Sequence, residues 1–201
     1  MCGRYLVEIN DEELKEIAAA AEVNARHAEQ FSFAFNGGEI FPGSIAPVIT
    51  ANEICFMKWG FPSRDAKRPP HINARSETAA TSKTFGSGLS ARRCIIPASG
   101  YFEWKTLDKK RKLKFKFSLP DGSPMYMAGV YSNDGRFAIL TREAAPAILE
   151  IHDRMPVILP KSLIEKWLKE SPDALNEALT DLRFIPVPAS DKQPNQASLF
   201  S

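Results

Sequence analysis

From residue 112 to residue 117 the chain alternates strictly, with Leu113, Phe115 and Phe117 set between Lys112, Lys114 and Lys116. A period of two is the pattern of a strand buried on one face. Runs rich in β-branched and aromatic residues predict further strands over residues 3–7, 45–50, 54–60, 93–97, 101–105, 125–132, 136–141 and 155–159. Asn133-Asp134-Gly135 marks a hairpin turn, and Pro120-Asp121-Gly122 marks another turn. Helical signals are fewer. Asn10 reads as an N-cap with Glu13 completing a capping box, for a helix through about Ala28. Residues 144–150 predict a short helix, Ser162 and Glu165 a capping box for one ending near Ser171-Pro172, and residues 173–179 a last one. Strands dominate without a βαβα alternation. The expected class is α+β: one domain over residues 1–190, built on a large, mostly antiparallel, curved and barrel-like sheet with a few flanking helices. Residues 191–201 lack a cap or a period and are expected to be a disordered tail.

Composition narrows the class. The 201 residues are 44% hydrophobic and 25% charged, with a net charge of +2, as in ordinary globular proteins. No segment reaches the roughly 18 apolar residues of a membrane span. No basic stretch followed by an apolar run opens the chain, so a cytoplasmic, nucleoid-associated protein is expected. The three cysteines, Cys2, Cys55 and Cys94, form no metal-binding spacing, and no metal or cofactor is expected. Basic residues cluster at Arg92-Arg93 and from Lys109 to Lys112, which suits phosphate or simply a solvated edge.

The chemistry begins at Met1-Cys2-Gly3-Arg4-Tyr5. Removal of Met1 would leave Cys2 with a free α-amine and a thiol two carbons apart. Such a pair condenses with an aldehyde to an imine and closes to a thiazolidine. With ordinary pKa values of about 8 for the amine and about 8.5 for the thiol, both are partly available near neutrality. Taken alone, Cys2 reads rather as a small buried hydrophobe near the start of a strand.

Three other segments gather reactive groups. In Ile72-Asn73-Ala74-Arg75-Ser76-Glu77-Thr78, Asn73 can orient an amine or thiol, and Arg75 can hold a phosphate. In the run from Arg93 to Trp104, alternation puts Tyr101 and Glu103 on one strand face and Phe102 and Trp104 on the other. A carboxyl held among aromatic rings tends to a raised pKa, which suits a general acid. In Ile151-His152-Asp153-Arg154-Met155-Pro156, His152 stands at a strand entrance as a proton-transfer candidate. Each segment by itself has an ordinary structural explanation.

In this order, MCGR, WGF, INARSET, RCIIPASGYFEW and IHDRMPVIL resemble the motifs of the SRAP family, the SOS-response-associated peptidase fold of abasic-site processing proteins. The resemblance implies a protein that binds single-stranded DNA and traps abasic sites as a thiazolidine crosslink at Cys2. It implies that Asn73 positions the Cys2 amine or the sugar, that Glu103 is the acid/base, and that His152 assists imine formation, ring opening and reversal. It also implies that Arg4, Arg75 and Arg154 grip phosphates and that Pro42 and Trp59 lie against the DNA. Trp59, Phe61 and Tyr101 offer rings on which bases can stack, although each taken singly reads as a core residue.

The chain departs from the family pattern in three places. Glu39-Ile40-Phe41-Pro42-Gly43 lacks the family's Asn before the proline of the first loop. Phe61-Pro62-Ser63 lacks an aromatic pair after WG, and no closing strand is evident after Arg183. The tail Gln196-Ala197-Ser198-Leu199-Phe200 resembles a sliding-clamp docking peptide, which would make a clamp a partner. A monomer is expected. Three alternatives stay open: a glutamine amidotransferase-like hydrolase using its N-terminal cysteine, a peptidase that acts on peptides or on its own Met1, and a non-catalytic single-strand DNA-binding module.

Overall fold

The computed structural model describes residues 2–27, 35–65, 67–109 and 111–188. Two antiparallel-dominated sheets carry the fold. One is five-stranded and contains β1 (Tyr5–Val7), β2 (Gly38–Ile40), β7 (Gly100–Thr106), β8 (Lys112–Ser118) and β13 (Arg183–Pro186), in the order β13-β8-β7-β1-β2. The other contains β3 (Ile45–Ile49), β4 (Ile54–Trp59), β5 (Asn73–Arg75), β6 (Arg93–Ala98), β9 (Met125–Tyr131), β10 (Arg136–Glu143), β11 (Arg154–Pro156) and β12 (Ile158–Leu159). Within it the path β10-β4-β3-β6-β9 closes, because β9 pairs back onto β10. The class is α+β, and the barrel-like sheet expected from the strand pattern is present as this closed ring.

The alternating segment forms β8, where Phe117 is fully buried and stacks on Tyr101 of β7 at 4.7 Å. Gly100, between the two strands expected from sequence, is itself in β7. A Cβ there would collide with the carbonyl oxygen of Phe117. The closing strand that the sequence did not reveal is β13, which pairs with β8 and lays Phe184 opposite Phe117.

Helix α1 (Glu12–His27) buries Leu14, Ile17, Ala18, Ala21 and Ala25, the spacing of one helical face, and packs on β3 and β4. Its N-cap is Asp11 rather than Asn10: Asp11 Oδ1 accepts from the Leu14 N–H at 3.1 Å. Glu13 does not close a capping box but accepts from Tyr126 and Lys161. Two short helices, α2 (Ser76–Ala79) and α3 (Gly86–Ala91), lie between β5 and β6.

Residues 144–150 are a chain of turns, not a helix. The Ala144 N–H donates to the Asp153 carbonyl at 3.0 Å, so the ends of this loop are pinned together by the β10–β11 pairing. The expected strand 155–159 is split in two at Val157, whose N–H donates to the Leu140 carbonyl of β10 at 2.9 Å while its carbonyl accepts from the Ala128 N–H of β9 at 2.8 Å. The Ser162 capping box is also absent. A 3-10 turn at Lys161–Leu163 leads into a π-helical turn at Lys166–Glu170, whose Trp167 donates to the Cys94 carbonyl at 2.9 Å. Residues 172–177 form a 3-10 helix capped by Ser171, in place of the expected helix at 173–179. The end of the expected first helix at Ala28 and the whole tail from 191 to 201 lie outside the described residues. Among the described residues no helix is long and apolar enough to cross a membrane.

Candidate active site

The site forms where the two sheets meet. Past β1, the chain from Arg4 to Cys2 runs on alongside β7, and the Phe102 N–H donates to the Arg4 carbonyl at 2.9 Å. This brings Cys2 toward Glu103. From the other sheet, β5 lies parallel to β10 in the register Ile139↔Asn73. Asn73 crosses the junction, and its Nδ2 donates to the Cys2 carbonyl at 2.8 Å. Glu143 of β10 pairs with Arg154 of β11, which sets His152 at the mouth of that loop. Its Nε2 is 3.8 Å from Glu103 Oε2, an ion-pair separation rather than a hydrogen bond. Cys2, Asn73, Glu103 and His152 are thereby brought together from four separate segments.

The electrostatics follow from burial. Cys2 is fully buried, and desolvation, with the Glu103 charge adding, pushes its thiol far above the ordinary range. Its Sγ lies 3.7 Å from the Arg4 carbonyl, to which it donates. Burial also raises the Glu103 carboxyl, against the opposing pull of nearby positive charge that includes His152. The His152 ring is oriented by the backbone. Nδ1 accepts from the Arg154 N–H at 3.0 Å, so the neutral ring keeps its proton on Nε2, facing Glu103. Asp153 Oδ1, on an exposed side chain, sits 2.9 Å from Nδ1 and can share a proton there only when the ring is charged.

The remaining expected residues are placed differently. Arg4 is part-buried, with its guanidinium 4.2 Å from the Phe41 ring centre and 5.1 Å from that of Trp104. It donates to Glu39 at 3.2 Å, and Glu39 also accepts from Lys114. The position where the family pattern has changed thus carries the counter-ion of Arg4. Arg75 is exposed at the end of β5, and Pro42 is exposed in the turn after β2. Arg154, expected to grip phosphate, has its side chain only 9% exposed and is engaged inward. It donates to both carboxylate oxygens of Glu77 at 2.9 and 2.8 Å and to the Thr141 carbonyl at 2.7 Å.

Trp59 corrects an expectation: it is 0% exposed, and its Nε1 donates to the Ile72 carbonyl at 2.9 Å. Stacked on Phe137 and edge-on to Tyr5, it presents no face on which a base could stack. Tyr101 and Phe61 are buried as well. The hydrophobic run around Trp59 is the signal of a core strand, and the motif WGF outweighed it. Sequence reasoning passed over Glu77, although it lies inside the INARSET segment, and over Glu39. An acidic residue's partner far along the chain leaves no local pattern. Among the described residues no three His, Cys, Asp or Glu side chains converge as a metal site.

Comparison with known proteins agrees across sequence and structure. The family model described as SOS response associated peptidase (SRAP) matches residues 1–192. The abasic site processing protein YobE of Bacillus subtilis is 33% identical over 162 residues, spanning 73% of this chain and 72% of that protein. The abasic site processing protein YedK of Escherichia coli is 35% identical over 119 residues, 56% of this chain and 53% of that protein. A crystal structure of a protein from Bordetella bronchiseptica superposes with a TM-score of 0.71 at 23% identity, covering 93% of this chain and 100% of that one. The last likeness is one of fold.

Proposed function

This chain belongs to the SOS response associated peptidase (SRAP) family, and from that membership we propose that it processes abasic sites in DNA by covalent capture at Cys2. The observation that carries the reading is the convergence of Cys2, Asn73, Glu103 and His152 at one sheet junction. With Met1 removed, the Cys2 amine attacks the aldehyde of the ring-opened sugar. The resulting carbinolamine loses water to give an imine, which needs a proton donor at the departing hydroxyl. Glu103, whose carboxyl burial raises, is that donor, and His152 in its charged form, with Nε2 3.8 Å away, returns the proton to it. Asn73 fixes the Cys2 carbonyl and through it the direction of the amine. The thiol then closes the thiazolidine ring.

Burial raises the Cys2 thiol above its ordinary range. Amine-first capture of an aldehyde has no need of a resting thiolate.

The partner is single-stranded DNA, held through its phosphates by the exposed Arg75 and by Arg4 once Glu39 releases it, with Pro42 at the rim. Arg154 supports this surface from beneath. The protein acts as a monomer in the nucleoid. Tethering to a sliding clamp through the tail Gln196–Phe200 is a separate proposal; a Phe200→Ala tail peptide that binds clamp as weakly as the native peptide ends it.

The test uses protein shown by mass to lack Met1, mixed with single-stranded DNA carrying one abasic site and run on a denaturing gel. A shifted band that requires both Cys2 and the abasic site is expected. No band from the processed protein sinks the proposal and leaves the hydrolase and binding-module readings.

A further inference from the structure

Tyr5 and Tyr101 are direct cross-strand partners in the β1–β7 pairing, and both are 0% exposed. Their rings are locked. Tyr5 packs edge-on to Trp59 at 5.1 Å, and Tyr101 stacks on Phe117 at 4.7 Å. Yet neither hydroxyl finds a hydrogen-bond partner among the described residues. A buried donor without an acceptor is destabilising, and native proteins keep few of them. Two side by side, next to a reactive centre, need a reason. Cys2 supplies it. It lies three residues before Tyr5, while Glu103 lies two after Tyr101 on the same strand face. A negative charge on Cys2 would raise both phenols, and one on Glu103 would raise Tyr101. Burial holds both phenols well above their ordinary pKa, so they remain O–H donors throughout the working range.

We propose that the Tyr5 and Tyr101 hydroxyls are the hydrogen-bond donors that receive the Cys2 sulfur as it becomes negative during ring closure. The inference rests on the reading of Cys2 as the residue that captures an aldehyde. In the closing step Sγ adds to the imine carbon and a C–S bond forms. The C=N π pair moves onto nitrogen, the S–H bond breaks, and its proton ends on that nitrogen. The product is a neutral thiazolidine, and no oxidant, reductant or leaving group is required. Between loss of the sulfur proton and completion of the C–S bond, sulfur carries negative charge in a site where burial opposes charge. Two buried O–H donors with no other partner, to which the sulfur turns as it leaves the Arg4 carbonyl, lower that barrier.

The experiment compares wild type with Tyr5→Phe, Tyr101→Phe and the double variant, all with Met1 removed. Phe retains each ring and its packing. Two probes are used, glycolaldehyde read by intact mass and single-stranded DNA with one abasic site read on a denaturing gel. Each is run without reductant, which reports thiazolidine, and with borohydride, which traps the imine. The rate of reductant-free product should fall roughly tenfold per hydroxyl removed, the worth of a hydrogen bond to a charged atom. Borohydride-trapped product should form at the wild-type rate, and the melting temperature should stay level or rise because an unpaired buried hydroxyl has gone. Equal rates without reductant overturn the proposal, as does a parallel loss of both products. So does a lower melting temperature, since it would show the hydroxyls to be structural partners. If wild type forms thiazolidine with glycolaldehyde but nothing with DNA, the abasic-site reading fails while the hydroxyl assignment is still decided by the Phe variants.

Discussion

His152 Nε2 faces Glu103 Oε2 across 3.8 Å, one residue at the mouth of the β10–β11 loop and the other on β7 of the opposite sheet. The pair spans the sheet junction, and its protonation has a consequence for stability. Burial raises the folded-state pKa of Glu103 above its unfolded value. The folded state therefore binds more protons in the window just above the ordinary carboxylate range, and stability falls as pH rises through it. Glu103→Gln removes this loss. Its melting temperature should exceed that of wild type at neutral pH, and the difference should close toward pH 4. The same variant should slow crosslinking, because the proton donor for dehydration is gone. Thermal melts across pH, beside a crosslinking time course, check both; a Gln variant less stable than wild type at neutral pH would contradict the assignment.

Glu39 holds Arg4 and Lys114 together at the edge of the five-stranded sheet. As long as it does, the Arg4 guanidinium is not available to a phosphate. Glu39→Gln should tighten binding to single-stranded DNA. It should also steepen the slope of log affinity against log salt by about one unit, the signature of one more phosphate contact. Fluorescence anisotropy over a salt series measures the slope. An unchanged slope would mean that Arg4 does not reach DNA even when released.

Arg154 and Glu77 form a bidentate pair that tethers the loop carrying His152 to α2. Arg154→Ala should destabilise the fold by about 2 kcal/mol, below the ~3–5 kcal/mol of a fully buried pair because the remaining carboxylate can hydrate. The Arg154 hydrogen bonds hold the Glu77 carboxyl below its usual range. This stabilisation is present above the unfolded carboxylate pKa and is lost as pH falls through the lowered one. Urea titrations of Arg154→Ala, Glu77→Gln and the double variant should show a coupling energy that shrinks on acidification. Additive losses at neutral pH would refute the pairing.

Trp59 fills the core between Tyr5 and Phe137. Trp59→Ala should cost about 3–5 kcal/mol. Trp59→Phe, if it folds, should bind single-stranded DNA with wild-type affinity. A clear loss of affinity in a folded Trp59→Phe protein would restore the stacking role that the structure denies.

Much of this protein was decided by local sequence. The alternation in β8 and the apolar face of α1 express periodicities that neighbouring residues impose without help, and the turn glycines and the continuous apolar runs of β6 and β9 are equally local signals. The reactive motifs were legible for the same reason: Cys2, Asn73, Glu103 and His152 each sit in a short, chemically marked segment. What the sequence could not decide depends on partners far along the chain. Asp11 rather than Asn10 caps α1, and Glu13 is drawn off by Tyr126 and Lys161. Residues 144–150 form turns inside a loop whose bases, Ala144 and Asp153, are joined by a backbone hydrogen bond. Arg154 faces Glu77, Arg4 faces Glu39, and Trp59 faces the core, though their motifs suggested a surface for DNA. Periodicity tells which side of an element is apolar. Only the packing of one sheet against another tells which charges meet, which are buried, and which polar groups are left unpaired beside a thiol.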